Sequence, residues 1–327
     1  MKIAIDLMGG DNAPDVTKVA VNKFVKDYND VEILVFGHQD HNDFDHERIE
    51  FIHCEDVVTM EDDPVRSVKR KKDSSMMQMI QYMKEHREVA GLSAGSTGAL
   101  MSGGLFILGR IPTIERPALA NMLPTKSTKG FFFLDIGANS QNKPEHLVQY
   151  AKMGSIYMEK MNGISAPTVG LLNIGTEEKK GTDLTKETHQ RLKETDLNYI
   201  GYVESRSILK DSADVVVTDG FTGNMVLKSI EGTASFMMDV IKESMMQNII
   251  RKFSALSLKH AFKDVKKTLD YTEYGGAILL GLDGTLVKAH GSSNEKAIYS
   301  GLRQCYQLTQ NEVTKKIKYS ILEGSDE

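Results

Sequence analysis

Val215-Val216-Val217-Thr218-Asp219-Gly220-Phe221-Thr222-Gly223-Asn224 joins a β-branched apolar run to a Gly/Thr turn, and an amphipathic pattern then runs from Gly223 to Ser244. An apolar run of that length reads as a buried strand, and the turn as the start of a helix. The same strand–turn–helix unit recurs along the chain. Ile3 to Leu7, Glu32 to Phe36, Val89 to Ser93, Phe131 to Ile136, Thr168 to Asn173, Asn198 to Val203 and Thr285 to Ala289 read as further strands. Pro14 to Tyr28, Ser74 to Glu85 and His146 to Met161 carry helical periodicity between them. Alternation of this kind predicts an α/β protein with a mostly parallel, buried sheet. No repeat or low-complexity linker divides residues 1–327, so a single α/β domain is expected, with two lobes around a cleft as its internal variation.

Composition narrows the function. The formal charge of -5 excludes a chain that binds nucleic acid through its overall charge. Cys54 and Cys305 are the only cysteines, which points to a reducing compartment without a disulfide framework. The first residues, Met1-Lys2-Ile3-Ala4-Ile5-Asp6, do not read as a signal peptide, because Asp6 and Gly9-Gly10-Asp11 interrupt the apolar run. No stretch reaches the roughly 18 apolar residues of a membrane span. A cytoplasmic protein is expected, with any membrane contact peripheral.

Residues 245–270 depart from the alternation. Met246, Ile249, Ile250, Phe253 and Leu256 fall on one helical face, and Leu258, Ala261, Phe262, Val265 and Leu269 on another about 150° away at 100° per residue. One straight helix cannot hold both stripes, so two short helices with a bend near Ser257 are expected. Arg251, Lys252, Lys259, Lys263, Lys266 and Lys267 lie mainly off the apolar faces. Such a pair suits a membrane interface, but equally its own packed core or a dimer contact.

Several strands end in Gly/Ser/Thr/Asn turns that lead into helices. These are Leu7-Met8-Gly9-Gly10-Asp11-Asn12, Ser93-Ala94-Gly95-Ser96-Thr97-Gly98, Asp135-Ile136-Gly137-Ala138-Asn139, Asn173-Ile174-Gly175-Thr176, Thr218 to Asn224, and Ala289-His290-Gly291-Ser292-Ser293. In a parallel sheet these turns share one edge, where ligands bind. Helix N-termini offer free N–H groups to an anion, and Gly lets the backbone approach it. Any single turn is equally explained by turning and capping. None fits the Walker, dinucleotide or nucleophile-elbow spacing, which argues against nucleotide binding and serine hydrolysis. His38, His41, His46 and His53 match no zinc spacing and read as a polar loop. His290, at a strand end, reads either as a packing residue or as a proton donor or phosphate contact. Lys179 and Lys180 read as a solvated pair or as one lysine reaching an anion. Met76, Met77, Met79 and Met83 read as core, though such walls also suit an acyl chain.

Taken together, Asp6 to Pro14, Ser93 to Leu100, Arg116-Pro117-Ala118-Leu119-Ala120, Leu134 to Asn139, Gly170 to Gly175, Val215 to Asn224 and Ala289 to Ser293 resemble the phosphate acyltransferase family of bacterial phospholipid synthesis, in its order and over nearly the whole chain. Departures from the family's usual residues are Ser96 for Asn, Ser140 for Asp, and Glu204-Ser205-Arg206-Ser207 for Glu-Gly-Arg-Asp. The resemblance implies a three-layer α/β/α fold of the isopropylmalate dehydrogenase and phosphotransacetylase type, with a protruding helical pair. It implies long-chain acyl-acyl carrier protein and inorganic phosphate as substrates, and an acyl phosphate used by a membrane glycerol-phosphate acyltransferase. It also implies a homodimer held peripherally at the inner face of the membrane. Ile249, Ile250, Phe253, Leu256, Leu258 and Phe262 then become the expected membrane contacts.

Phosphate is itself a nucleophile, so neither a covalent intermediate nor a metal or organic cofactor is required; positioning and oxyanion stabilisation suffice. Gly95, Ser96, Thr97, Gly98, Asn139, Asp219, Thr222, Gly223, Ser292 and Ser293 are expected around phosphate, with Lys180, His290 and Asn224 as catalytic residues. Lys180 would neutralise charge, and His290 would protonate the departing thiol or bind phosphate. Competing readings are an acyl-coenzyme A enzyme of the phosphotransacetylase kind and a membrane scaffold without turnover. The acidic carrier needs a local basic surface; the Lys-rich tip and Lys69-Arg70-Lys71-Lys72 are the candidates.

Overall fold

A computed structural model describes residues 1–323 apart from 249, 250, 253, 254, 256, 257, 259, 260, 263, 264 and 266–274. Strands β1 (Lys2–Asp6), β2 (Glu32–Gly37), β3 (Ile49–His53), β4 (Ala90–Ser93), β5 (Ala118–Leu123), β6 (Phe131–Leu134), β7 (Val169–Asn173), β8 (Tyr199–Glu204), β9 (Val215–Val217), β10 (Ala277–Leu280) and β11 (Leu286–Lys288) form one eleven-stranded sheet. Its order is β3-β2-β1-β4-β11-β10-β5-β6-β9-β7-β8.

Successive residues of each central strand point to opposite faces, and both faces are buried. Ile3, Ile5, Phe132, Val215 and Val217 pack on one side, against α1 (Asp15–Asp27), α5 (Pro144–Asn162), α6 (Asp183–Lys193), α8 (Glu295–Gln310) and α9 (Val313–Glu323). Ala4, Phe131, Phe133 and Val216 pack on the other, against α2 (Pro64–Arg70), α3 (Ser75–Glu85), α4 (Thr97–Gly103) and α7 (Gly220–Met246). This is the three-layer α/β/α arrangement. Met76, Met77, Met79 and Met83 on α3 are all fully buried in the second layer, as core.

The pairings are parallel except β11–β10, β10–β5 and β5–β6, which are antiparallel. Three reversals leave β6, β9, β7 and β8 running opposite to β3, β2, β1, β4 and β11. The expectation that all the turns share one sheet edge is therefore corrected. The turns after β4 and β11 leave one edge, and those after β6 and β9 leave the other. What joins them is a cavity across the face of the central antiparallel strands, on the α3–α4–α7 side.

Helix α7 stands apart from the rest. Its 27 residues extend about 40 Å at 1.5 Å per residue. Only Gly220, Gly223 and Leu227, all near its start, are buried. It leads toward the expected helical tip. Ile249, Ile250, Phe253 and Leu256, and the expected bend at Ser257, lie outside the described residues. Leu258 is 46% exposed, and Phe262 is half-buried with its N–H on the Leu258 carbonyl at 3.0 Å. Among the described residues, no helix is long and apolar enough to cross a membrane.

Candidate active site

Two buried carboxylates shape the turns around the cavity. Asp6, at the end of β1, accepts hydrogen bonds from Ser75 Oγ at 2.6 Å, Ser93 Oγ at 2.7 Å and the Met8 N–H at 3.2 Å. Ser93 Oγ in turn accepts from the Gly95 N–H at 3.0 Å. Asp6 thereby fixes the turn after β4 through a relay. Burial pushes its carboxyl above the ordinary value of 3.8, while these donors pull it back. The Ser96 side chain, itself buried, accepts from the Ala99 N–H at 3.4 Å and caps α4.

Asp135, after β6, accepts from the N–H groups of Leu119, Gly137, Ala138 and Asn139 at 2.8–3.1 Å and from Asn139 Nδ2 at 2.8 Å. Burial is again the larger influence and raises its carboxyl. The Asn139 amide also donates to the Pro117 carbonyl at 2.7 Å and Tyr150 Oη at 3.0 Å, so it braces the turn rather than opening to the cavity. The first turn of α7 sits directly on this assembly. Asp219 caps it, accepting from the Thr222 N–H at 2.9 Å, and Asn142 Oδ1 receives the Gly220 N–H at 3.2 Å.

The turn after β11 docks on the one after β1. The Asp11 N–H donates to the Gly291 carbonyl at 2.8 Å and Asn12 Nδ2 to the Ser293 carbonyl at 3.2 Å. Ser292 donates its N–H to His290 Nδ1 at 3.2 Å. An accepting Nδ1 puts the proton of the neutral ring on Nε2. Burial, with Lys228 and Lys288 nearby, holds His290 below the usual 6.5, so the neutral form prevails at pH 7.

These turns enclose a cavity of about 620 Å³. Of the residues expected from sequence, Gly95, Thr97, Gly98, Asn224, His290 and Ser293 line it. Ser96, Asn139, Asp219, Thr222, Gly223 and Ser292 belong to the same turns but are not on the lining. Lys180 lies elsewhere. It is exposed in the loop after β7, paired with Glu177 at 2.7 Å, and the loop is closed by Asn173 Nδ2 on the Gly175 and Lys180 carbonyls. Cys54 and Cys305 are buried away from the cavity, and burial pushes the Cys54 thiol up to about 12. Neither is poised as a thiolate.

The cavity also contains residues that the turn motifs do not name. Lys228 on α7 pairs with Glu231 at 2.8 Å, and both line it. Lys288, on β11, is buried. Asn121 of β5 and Ser293 each have a buried oxygen, Oδ1 and Oγ, without a hydrogen-bond partner. Met60, Pro64, Met101, Leu119 and Leu227 supply apolar wall. The only sequence signal for Lys288 is a lysine ending an apolar strand two residues before His290. A cavity with N–H-rich turns, ammonium groups and apolar wall can hold an anion beside an acyl group.

The family described as "Fatty acid synthesis protein" matches residues 1–316. The phosphate acyltransferases of Staphylococcus aureus strains MSSA476 and MRSA252 are each 50% identical over 327 residues, covering all of both chains. Among solved structures, a branched-chain phosphotransacylase from Enterococcus faecalis V583 superposes with TM-score 0.58 at 15% identity, over 93% of this chain and 98% of that one. A phosphotransacetylase from Streptococcus pyogenes gives TM-score 0.59 at 15% identity, over 96% and 94%. The structural matches carry the fold, and the full-length sequence matches carry the relationship: this chain belongs to the phosphate acyltransferase family, transferase enzymes of fatty acid and phospholipid synthesis.

Proposed function

We propose that this enzyme transfers a long-chain acyl group from acyl carrier protein to inorganic phosphate. A phosphate oxygen attacks the thioester carbonyl carbon and forms the new C–O bond. The C–S bond breaks, its electron pair leaves on sulfur, and a proton from phosphate or solvent converts the thiolate to thiol. The products are acyl phosphate and free carrier. The observation that carries this reading is the single cavity joining the turns after β4 and β11 to apolar wall and the α7 start. Holding both substrates there removes most of the entropic cost of their encounter. The neutral His290, with its proton on Nε2, suits a hydrogen bond to phosphate or to the departing sulfur. Asn224 lines the cavity opposite Gly137 and suits the carbonyl oxygen as charge develops on it. Lys180 would have to leave Glu177 and cross to the cavity to act on it.

Two surfaces support the partners. Arg66, Lys69, Arg70 and Lys72 are exposed, and none forms an ion pair with a described residue. Arg66, Lys69 and Arg70 are on α2 and Lys72 follows it; α2 begins at Pro64, which lines the cavity, so an acidic carrier seated on them brings its thioester arm to the opening. On α7, Phe221, Met225, Phe236, Val240 and Met246 are exposed along one stripe. A stripe of that length suits α7 of a second copy, giving a homodimer. Beyond it, exposed Leu258 and Val265 with Arg251 and Lys252 suit a peripheral contact with an anionic membrane. The acyl phosphate would pass there to a membrane glycerol-phosphate acyltransferase.

The test is to incubate the enzyme with a palmitoyl thioester and ¹⁸O-labelled phosphate. Palmitoyl phosphate carrying the label is the expected product. Thiol release that is independent of phosphate would replace this reading with a thioesterase.

A further inference from the structure

We infer that Lys288 is the fixed cation that holds phosphate in the cavity. The inference rests on the reading of phosphate as acyl acceptor. Lys288 ends β11 and lines the cavity with only 7% of its surface exposed. Its ammonium has no carboxylate within ion-pair distance among the described residues. Nζ donates instead to two backbone carbonyls, Ala94 at 3.3 Å and Ala289. An ammonium has three N–H donors, so one remains unused. A buried charge without a counter-charge is costly, and chains keep one where a ligand supplies the missing partner.

The strand register gives the inference its geometry. Lys288 pairs with Ala277 on β10, and the β10–β5 register, with Ile278 opposite Ala120, continues that row to Asn121. All three residues line the cavity. Its floor is thus a cross-strand row with an ammonium at one end, a methyl group in the middle and an amide at the other end. Two strand spacings, ~10 Å, separate the ends. Asn121 Oδ1 and Ser293 Oγ are both buried and partnerless, so this floor and the wall beside it have unfilled polar valences as well as an unpaired charge. Lys228, the other ammonium on the lining, already has Glu231.

The charged groups around Lys288 agree with a role in binding. Burial lowers its ammonium to about 8, while Asp6 on β1 and Asp11 in the following turn act in the opposite direction. Lys228 and Glu231 approach from α7, and His290 from the adjacent turn; Lys228 and His290 add no negative charge, and Glu231 is occupied by Lys228. Lys288 is therefore mostly protonated at pH 7 and loses its charge as pH rises through about 8. Apparent phosphate affinity should weaken about tenfold between pH 7 and pH 9, after correction for phosphate's own titration.

The experiment measures inorganic phosphate binding by calorimetry and steady-state KM for both substrates, in wild type, Lys288→Met and Lys288→Arg. The expected result is a folded Lys288→Met protein whose phosphate Kd and KM rise tenfold or more, with the thioester KM unchanged. Lys288→Arg should keep phosphate affinity and lose the fall between pH 7 and pH 9. Unchanged phosphate affinity in folded Lys288→Met overturns the inference while leaving phosphate as acceptor. If Lys288→Met does not fold, a wild-type affinity that is flat across that pH range overturns it. Wild-type protein that neither binds phosphate nor needs it for turnover overturns the acceptor reading itself.

Discussion

The backbone carbonyl of Asp135 occupies the place where a β-carbon on Gly223 would stand. The first turn of α7 consequently lies flat on the turn after β6, and Asn224 is delivered to the cavity beside Gly137. Gly223→Ala forces those two segments apart. Overpacking of this kind costs about 1–3 kcal/mol. Thermal unfolding should show that loss, and kcat should fall further than phosphate binding, because Asn224 moves with the helix while the β4 and β11 turns do not.

His290 offers a prediction with a definite sign. Burial and the neighbouring lysines hold it below 6.5, so the folded protein binds fewer protons there than the unfolded chain between the lowered value and 6.5. Stability should rise with pH across that interval, and His290→Gln should flatten the rise. A titration of the His290 Cε1 proton by NMR should find its midpoint below 6.5 in the free enzyme and higher once phosphate is bound.

Arg66→Glu, Lys69→Glu and Arg70→Glu, combined, should raise the KM for acyl-acyl carrier protein about tenfold or more and leave that for acyl-coenzyme A unchanged. Added salt should reproduce the effect in the wild type, since exposed charges are screened within about 10 Å at 0.1 M. Equal effects on both donors would place the carrier elsewhere.

Phe236 and Val240 lie one helical turn apart on the exposed stripe of α7. Replacing both with Asp should convert a dimer to monomers in sedimentation velocity while leaving the sheet's cooperative unfolding intact. A wild-type monomer at micromolar concentration would contradict the assembly drawn from this stripe.

The sequence made much of this structure readable, for identifiable reasons. The central strands β1, β2, β4, β6 and β7 are buried on both faces and therefore appear as continuous apolar runs. The edge strand β3 alternates partly exposed residues with Glu50 and His53, a pattern that does not stand out as a buried run. Strand β5 is equally hidden, because Ala118, Ala120 and Asn121 have weak strand preference and are held by pairing on both sides. The reversals that β5 and β10 introduce are what set the turns facing one another across a cavity, and neither strand carries a clear signal. The turn glycines were legible because backbone approach demands them. Lys288 was not, because its burial and its row with Asn121 arise only from strand order.

Acyl transfer from carrier protein to phosphate consumes one thioester for each phosphate acylated. Its most direct measurement is the rate of free thiol release from palmitoyl-acyl carrier protein with and without phosphate, with palmitoyl-coenzyme A in parallel. Release should saturate with phosphate, yield palmitoyl phosphate one-for-one with thiol, and have the higher kcat/KM with the carrier donor. Phosphate-dependent turnover that favours the coenzyme A donor would contradict the carrier assignment, and no turnover with either donor from the folded enzyme would contradict the claim as a whole.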